Sequence, residues 1–199
     1  KYKLSNMCEQ DDNIPSVKTC LLANIPDNFE FPCIAKPFNG RSSKGLMRNA
    51  SREQVMAIEN KDAYIIQEQL DGNVFTVDFC RNAITKTDAS VPRQELLRTK
   101  NGAGLTIPTV TDSSLMKLVS YIGNKLNING CVNMEFILNQ GKYYLIDVNP
   151  RFSAGVAFSV ISGYDMIINH IRCFVNEEID KQIPVKQQII IKKYDEVIF

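Results

Sequence analysis

Apolar and polar residues alternate most clearly towards the C-terminal half of the chain. Val132, Met134, Phe136 and Leu138 alternate with Asn133, Glu135, Ile137 and Asn139. An Asn-Gln-Gly-Lys turn follows, and then the apolar run Tyr143, Tyr144, Leu145, Ile146. This pattern predicts two antiparallel strands joined by a tight turn. Neighbouring strands of that kind would hold Glu135 beside Asp147, with Asn149 one pleat further along.

Helical spacing predicts a short helix within residues 3–13, carried by Leu4, Met7 and Cys8 and ended by Ile14-Pro15. A second helix is predicted over 51–60, capped by Ser51, with Val55, Ile58 and Glu59 in register. The strongest amphipathic helix is predicted over 112–127, where Leu115, Leu118, Val119, Ile122 and Leu126 form one stripe. Two more helical stretches, 156–160 and 166–175, are separated by Gly163. Strands are predicted at 19–22, 31–37, 64–70 and 74–79, with 83–86 pairing back on the last of these around Arg81-Asn82. The tail alternates weakly at 189–193 and predicts one final strand.

Composition narrows the classes. The 199 residues are 44% hydrophobic and 23% charged, ordinary for a globular chain long enough to bury a core. A net charge of +1 gives no reason to expect nucleic acid or an anionic membrane surface as partner. No apolar run approaches the roughly 20 residues that span a bilayer. The first residues do not read as a signal peptide, and the absence of an initiator Met suggests an excised domain. Six cysteines are spread without a Cys-x-x-Cys pair, and His170 is the one histidine, so a Cys/His zinc site is not expected. Free cysteines in apolar surroundings point to a reducing cytoplasm.

Three stretches carry candidate chemistry. Glu135, Asp147 and Asn149 offer hard oxygen ligands of the kind Mg²⁺ takes when it keeps waters and phosphate oxygens in its shell. An ordinary hairpin with solvent-facing acids has the same spacing. Arg151, just after Pro150, carries a planar fork that fits phosphate or carboxylate. The loop 38–45 combines glycines, Ser42, Ser43 and cations whose backbone N–H groups could close around phosphate. It is not a Walker A motif, because no Gly-Lys-Ser/Thr opens a helix, and alone it reads as a solvated turn. Residues 91–102 hold Arg93, Arg98 and Lys100, either an anion-binding set or a solvated basic strand. His170 lies among isoleucines and reads as a structural histidine rather than a phosphohistidine.

The run Asp147-Val148-Asn149-Pro150-Arg151, with Glu135 twelve residues upstream, resembles the metal-binding signature of the ATP-grasp superfamily. The continuation Phe152-Ser153-Ala154-Gly155 through Ser162-Gly163-Tyr164-Asp165 is similar to the branch containing the large chain of carbamoyl-phosphate synthase. The resemblance implies an α+β fold of two lobes closing on a nucleotide, a small lobe over 1–74 and a large lobe over 75–199. It implies ATP with Mg²⁺ (or Mn²⁺) as cofactors and Glu135, Asp147 and Asn149 as metal ligands. Lys36, ending a strand before Pro37, falls where the family places a phosphate lysine, and Lys1 matches a second one loosely. Ser42, Ser43 and Gly45 fall in the phosphate loop. Glu68, Gln69, Leu70 and Asp71 fall at the hinge that meets adenine and ribose. Arg151 and Lys36 take the catalytic places, and Arg93, Arg98 and Lys100 border the substrate anion.

The chain departs from the pattern at Val74, where the family usually has an acid for the ribose hydroxyls; Asp71 is the candidate substitute. The implied activity is an ADP-forming ligase that makes an acyl phosphate from a carboxylate or bicarbonate for attack by an amine or ammonia. The alternative, motivated by Val74, is a nucleotide-binding module without turnover. ATP and a small acid and amine are the expected partners, and a homo-oligomer is left open. The usual N-terminal α/β domain of the branch is not in this sequence, and activity can depend on it.

Overall fold

A computed structural model describes residues 1–40, 44–100, 102–193 and 198 of the chain. They form two compact units. Unit 1 comprises Lys1–Asn73 with Phe136–Val148, and unit 2 comprises Val74–Glu135 with Asn149–Phe199.

Unit 1 opens with helix α1 (Tyr2–Glu9), which ends several residues before Ile14-Pro15, so the proline is not what stops it. Its sheet has the order β1-β4-β2-β3, with β1 Thr19–Leu21, β2 Cys33–Pro37, β3 Met47–Ala50 and β4 Tyr64–Glu68. The β2–β4 ladder is antiparallel and regular from Cys33↔Glu68 to Pro37↔Tyr64. Leu22, Cys33, Ala35, Ala50, Val55 and Ile66 form the core beneath it. The helix predicted over 51–60 is only α2 (Arg52–Met56). Ser51 caps it through a reciprocal capping box with Gln54, but one turn of burial through Val55 does not carry the helix to residue 60.

Unit 2 contains β5 (Asn73–Arg81, from Val74 on), β6 (Asp88–Gln94), β7 (Leu97–Arg98), β8 (Gly104–Pro108), helix α3 (Ser113–Lys125), helices α4 (Val156–Ile161) and α5 (Met166–Arg172), and β11 (Ile189–Ile191). β5 and β6 pair antiparallel from Phe75↔Gln94 to Arg81↔Asp88. Residues 83–86, expected to be a strand, instead lie in the connecting turn. Asn82 fixes that turn: its carboxamide oxygen accepts from the N–H groups of Ile84 and Thr85, and its carbonyl accepts from Lys86. An Asx-type clamp of this kind competes with strand pairing locally.

The β5–β6 pair is buried on both faces. Phe79 points to α3, where a Cβ on Gly123 would overlap its ring, and Cys80, Ala89 and Val91 pack with Tyr164, Met166 and Cys173. Burial on both faces encloses polar side chains as well, among them Thr76, Asp78, Ser90 and Arg93. α3 buries Leu115, Val119 and Ile122, and Asp112 caps it by accepting from the N–H groups of Ser114 and Leu115. A smaller sheet has the order β11-β8-β7.

The predicted hairpin is β9 (Gly130–Asn139) and β10 (Lys142–Asn149), in a sheet of order β10-β9-β5-β6. Gln140 and Gly141 have φ of 47° and 79°, the left-handed pair that a two-residue hairpin turn of matching twist requires. The division between the units runs through both strands. β10 is anchored in unit 1, where Leu145 N–H donates to the Pro15 carbonyl at 2.8 Å. Among the described residues no helix is long and apolar enough to cross a membrane.

Candidate functional site

In unit 1, the ladder of β2 with β4 places Lys36 opposite Ile65, with the residue only 8% exposed. Lys1 is the N-cap of α1 and accepts from Ser5 N–H at 3.0 Å. Its ammonium stands 3.6 Å from a carboxylate oxygen of Asp147, whose other oxygen accepts from Val148 N–H at 3.0 Å. Two of the residues singled out in the sequence are thereby joined by charge.

Gly45 has φ of 70°, and a Cβ there would press against the Tyr64 hydroxyl and Pro37, so the loop end is tied to glycine. Ser42 and Ser43 lie outside the described residues. Glu68 ends β4, and its carboxylate accepts from Lys18 N–H at 2.9 Å while its own N–H donates to the Lys18 carbonyl. Gln69 accepts from Asn49 N–H at 2.8 Å and joins the Asn49 side chain as well. Leu70 is half-buried, and Asp71 is exposed with its carbonyl accepting from the Asn139 amide at 2.6 Å.

In unit 2, Arg151 folds back on its own loop, donating to the Phe152 carbonyl at 3.0 Å and towards the Asn149 carboxamide oxygen at 3.5 Å. Lys100 is exposed beyond β7.

Arg93 and Arg98 have different surroundings. Asp78 faces Val91 across the β5–β6 ladder, which makes Arg93 its diagonal neighbour on the same face. Arg93 is 2% exposed. Its guanidinium donates to Asp78 at 2.8 Å, to the Ser153 hydroxyl at 3.1 Å and to Glu95 at 3.3 Å. Asp78 also accepts from the Ser159 hydroxyl at 2.7 Å and the Asn133 amide at 3.3 Å. The Ser153 hydroxyl in turn accepts from Gly155 N–H, so the chain just after Arg151 is pinned to the buried ion pair. Neither Arg93 charge nor fork is left over for an exposed anion; its environment is that of a satisfied buried cation.

Arg98 is half-exposed and sits between two acids. Its Nε donates to the Gly102 carbonyl at 2.9 Å and lies 3.9 Å from Glu95, while one terminal nitrogen is 3.4 Å from Glu135. Charges therefore alternate from Asp78 through Arg93, Glu95 and Arg98 to Glu135. The sequence reading did not single out Asp78, Glu95, Ser153 or Ser159. Asp78 carried one signal, an acid set inside the apolar run Val77-Asp78-Phe79-Cys80.

His170 sits edge-on between Phe152 and Phe174, and its Nδ1 accepts from Cys131 N–H at 2.9 Å. That bond leaves the ring proton on Nε2 and gives the histidine a structural task. Among the described residues no three or more His, Cys, Asp or Glu side chains cluster as metal ligands. The sequence-derived set has two carboxylates and an amide, and its donors are all oxygen, the type that fits Mg²⁺ or Mn²⁺.

Comparison with known proteins places the chain among relatives. The chain is 26% identical over 152 residues to the carbamoyl phosphate synthase large chain of Thermomicrobium roseum, covering 69% of this chain and 14% of that protein. It is 26% identical over 189 residues to the D-alanine–D-alanine ligase of Treponema denticola, covering 81% of this chain and 51% of that protein. The chain thus spans about half, or far less, of the length of these relatives.

Among solved structures, the biotin carboxylase domain of Hydrogenobacter thermophilus 2-oxoglutarate carboxylase superposes with a TM-score of 0.78 at 16% identity. That superposition covers 95% of this chain and 49% of the other. N5-carboxyaminoimidazole synthetase from Staphylococcus aureus superposes with a TM-score of 0.75 at 12% identity, covering 92% of this chain and 53% of the other. These structures share the fold. Residues 1–155 match the family model described as the ATP-grasp domain, and on that match the chain belongs to the ATP-grasp family.

Proposed function

We propose that this chain is the ATP-grasp part of an ADP-forming ligase. It would activate a carboxylate or bicarbonate as an acyl phosphate for attack by an amine or ammonia. One observation carries the reading: Glu135, Asp147, Asn149 and Arg151, which together resemble the family's metal-binding signature, all lie inside the stretch that matches the ATP-grasp domain. A module without chemistry has little need of the whole set. The relatives support the reaction class. Two of them are a D-alanine–D-alanine ligase and a carbamoyl phosphate synthase, and the Hydrogenobacter domain was solved with MgADP and bicarbonate.

Glu135, Asp147 and Asn149 would hold Mg²⁺ (or Mn²⁺), which when bound neutralises charge on the nucleotide phosphates. Lys36 and Lys1 bring cations to the same phosphates. Gly45, with Ser42 and Ser43, supplies the loop over them. The backbone of Glu68, Gln69 and Leu70 meets the adenine edge, and Asp71 takes the ribose. Arg151 orients the transferring phosphoryl group. A carboxylate oxygen attacks the γ-phosphorus, the bond to the bridging oxygen breaks and ADP leaves. The amine then attacks the acyl carbon and inorganic phosphate departs.

Such a reaction needs little covalent help and much positioned charge. Arg93 is assigned to holding the loop after Arg151 rather than to the substrate, which leaves Arg98 and Lys100 beside the anion. Six unpaired cysteines fit a reducing cytoplasm.

The test is ADP release by the purified full-length protein across a panel of carboxylates and bicarbonate with amines or ammonia. Acid-stimulated turnover that falls at least about 100-fold in Glu135→Gln is expected, the scale on which losing one transition-state charge contact is felt. Mg·ATP binding without turnover for any pair would favour the module suggested by Val74.

A further inference from the structure

The half-exposed end of the charge chain in unit 2 has the features of a movable contact. Arg98 meets Glu135 through one long contact of 3.4 Å, and the two side chains are 24% and 26% exposed. Its Nε, in contrast, is fixed on the Gly102 carbonyl at 2.9 Å. The stem is therefore anchored while the terminal nitrogens reach out.

A second acceptor waits beside it. The Glu95 side chain is 2% exposed, one of its oxygens is engaged by Arg93, and the other, Oε2, is buried without a hydrogen bond among the described residues. Arg98 Nε lies 3.9 Å from that oxygen. Gly104 leaves room for the carboxylate, since a Cβ at that position would overlap Glu95 Oε2. A buried carboxylate oxygen with no hydrogen bond is costly and gains from an approaching guanidinium.

We propose that Arg98 is a tethered counter-ion for Glu135. Arg98 holds this carboxylate while it is otherwise unneutralised, yields it to a divalent cation, and turns its terminal nitrogens to Glu95 Oε2. The inference rests on the proposed metal role of Glu135. It assigns Arg98 a positioning role: arrival of the cation and reorientation of the arginine become one event. Glu95 is the return post because Arg93, locked on Asp78, holds its other oxygen.

The experiment is Mn²⁺ titration of the whole chain without nucleotide, followed by electron paramagnetic resonance of free Mn²⁺. Arg98→Ala removes the competitor and is expected to tighten Mn²⁺ by roughly two- to fivefold, the equilibrium worth of a partly exposed ion pair. Arg98→Lys, which keeps the charge, is expected to stay near the parent affinity, and Glu135→Gln to lose most of it. A second readout is the Arg98 Nε–H nitrogen resonance, identified by its loss in Arg98→Lys. It should shift on addition of diamagnetic Mg²⁺ and should not in Glu135→Gln.

If Arg98→Ala leaves Mn²⁺ affinity unchanged or weaker while Glu135→Gln abolishes it, the counter-ion role is wrong and the metal reading stands. If Glu135→Gln has no effect, the metal reading itself falls, and this proposal with it.

Discussion

Arg93 and Arg98 lie on consecutive strands of one unit and share Glu95, yet they stand in opposite electrostatic circumstances. Arg93 is enclosed, and its donors reach Asp78, Ser153 and Glu95. Arg98 is partly exposed, with one backbone contact and two long side-chain contacts, to Glu95 and Glu135. A buried cation must be matched closely, because an unpaired charge in the interior costs far more than the pair returns. A half-exposed cation can lose its partner to water at little cost. The difference teaches that an arginine count within residues 91–102 says nothing about function until burial is known. The inner arginine is enclosed by its partners and the outer one is partly exposed.

The largest effect should come from breaking the inner pair. Arg93→Met or Asp78→Leu alone is expected to destabilise unit 2 by about 3–5 kcal/mol, read as a lower denaturant midpoint. The double substitution should cost less than the sum of the two, because neither charge is then left unmatched. Additive losses would show that the two groups are not coupled as described.

An intermediate effect is expected at the apolar face of the same sheet. Gly123→Ala sets a methyl group against the Phe79 ring, and about 1–3 kcal/mol should be lost from thermal stability. A neutral result would mean that α3 packs less closely on β5 than its contacts indicate.

The smallest effect belongs to the outer arginine. Arg98→Ala should change stability by less than about 1 kcal/mol, with a salt dependence that Arg93→Met does not share. A loss as large as that at Arg93 would erase the contrast between the two positions.

Much of the fold was legible because its cues are local. The turn at Gln140-Gly141, the Ser51 cap and the stripe of Leu115, Val119 and Ile122 each depend on residues within a few positions of one another. The helix beyond Met56 and the strand at 83–86 were misread for a related reason. Tertiary burial did not extend the first, and the Asn82 clamp displaced the second. The acid-x-Asn-Pro-Arg run was visible because its chemistry lies in consecutive residues.

The sequence by itself determined the order of the motifs, the type of ligand atoms they offer and the local geometry of turns and caps. Tertiary structure decided which cations are spent on the fold and which remain addressable. Asp78 draws its partners from Arg93, Asn133 and Ser159, the last 81 residues away along the chain. Strand and helix periodicity cannot register such a set, because burial of a charge depends on everything that closes around it in space.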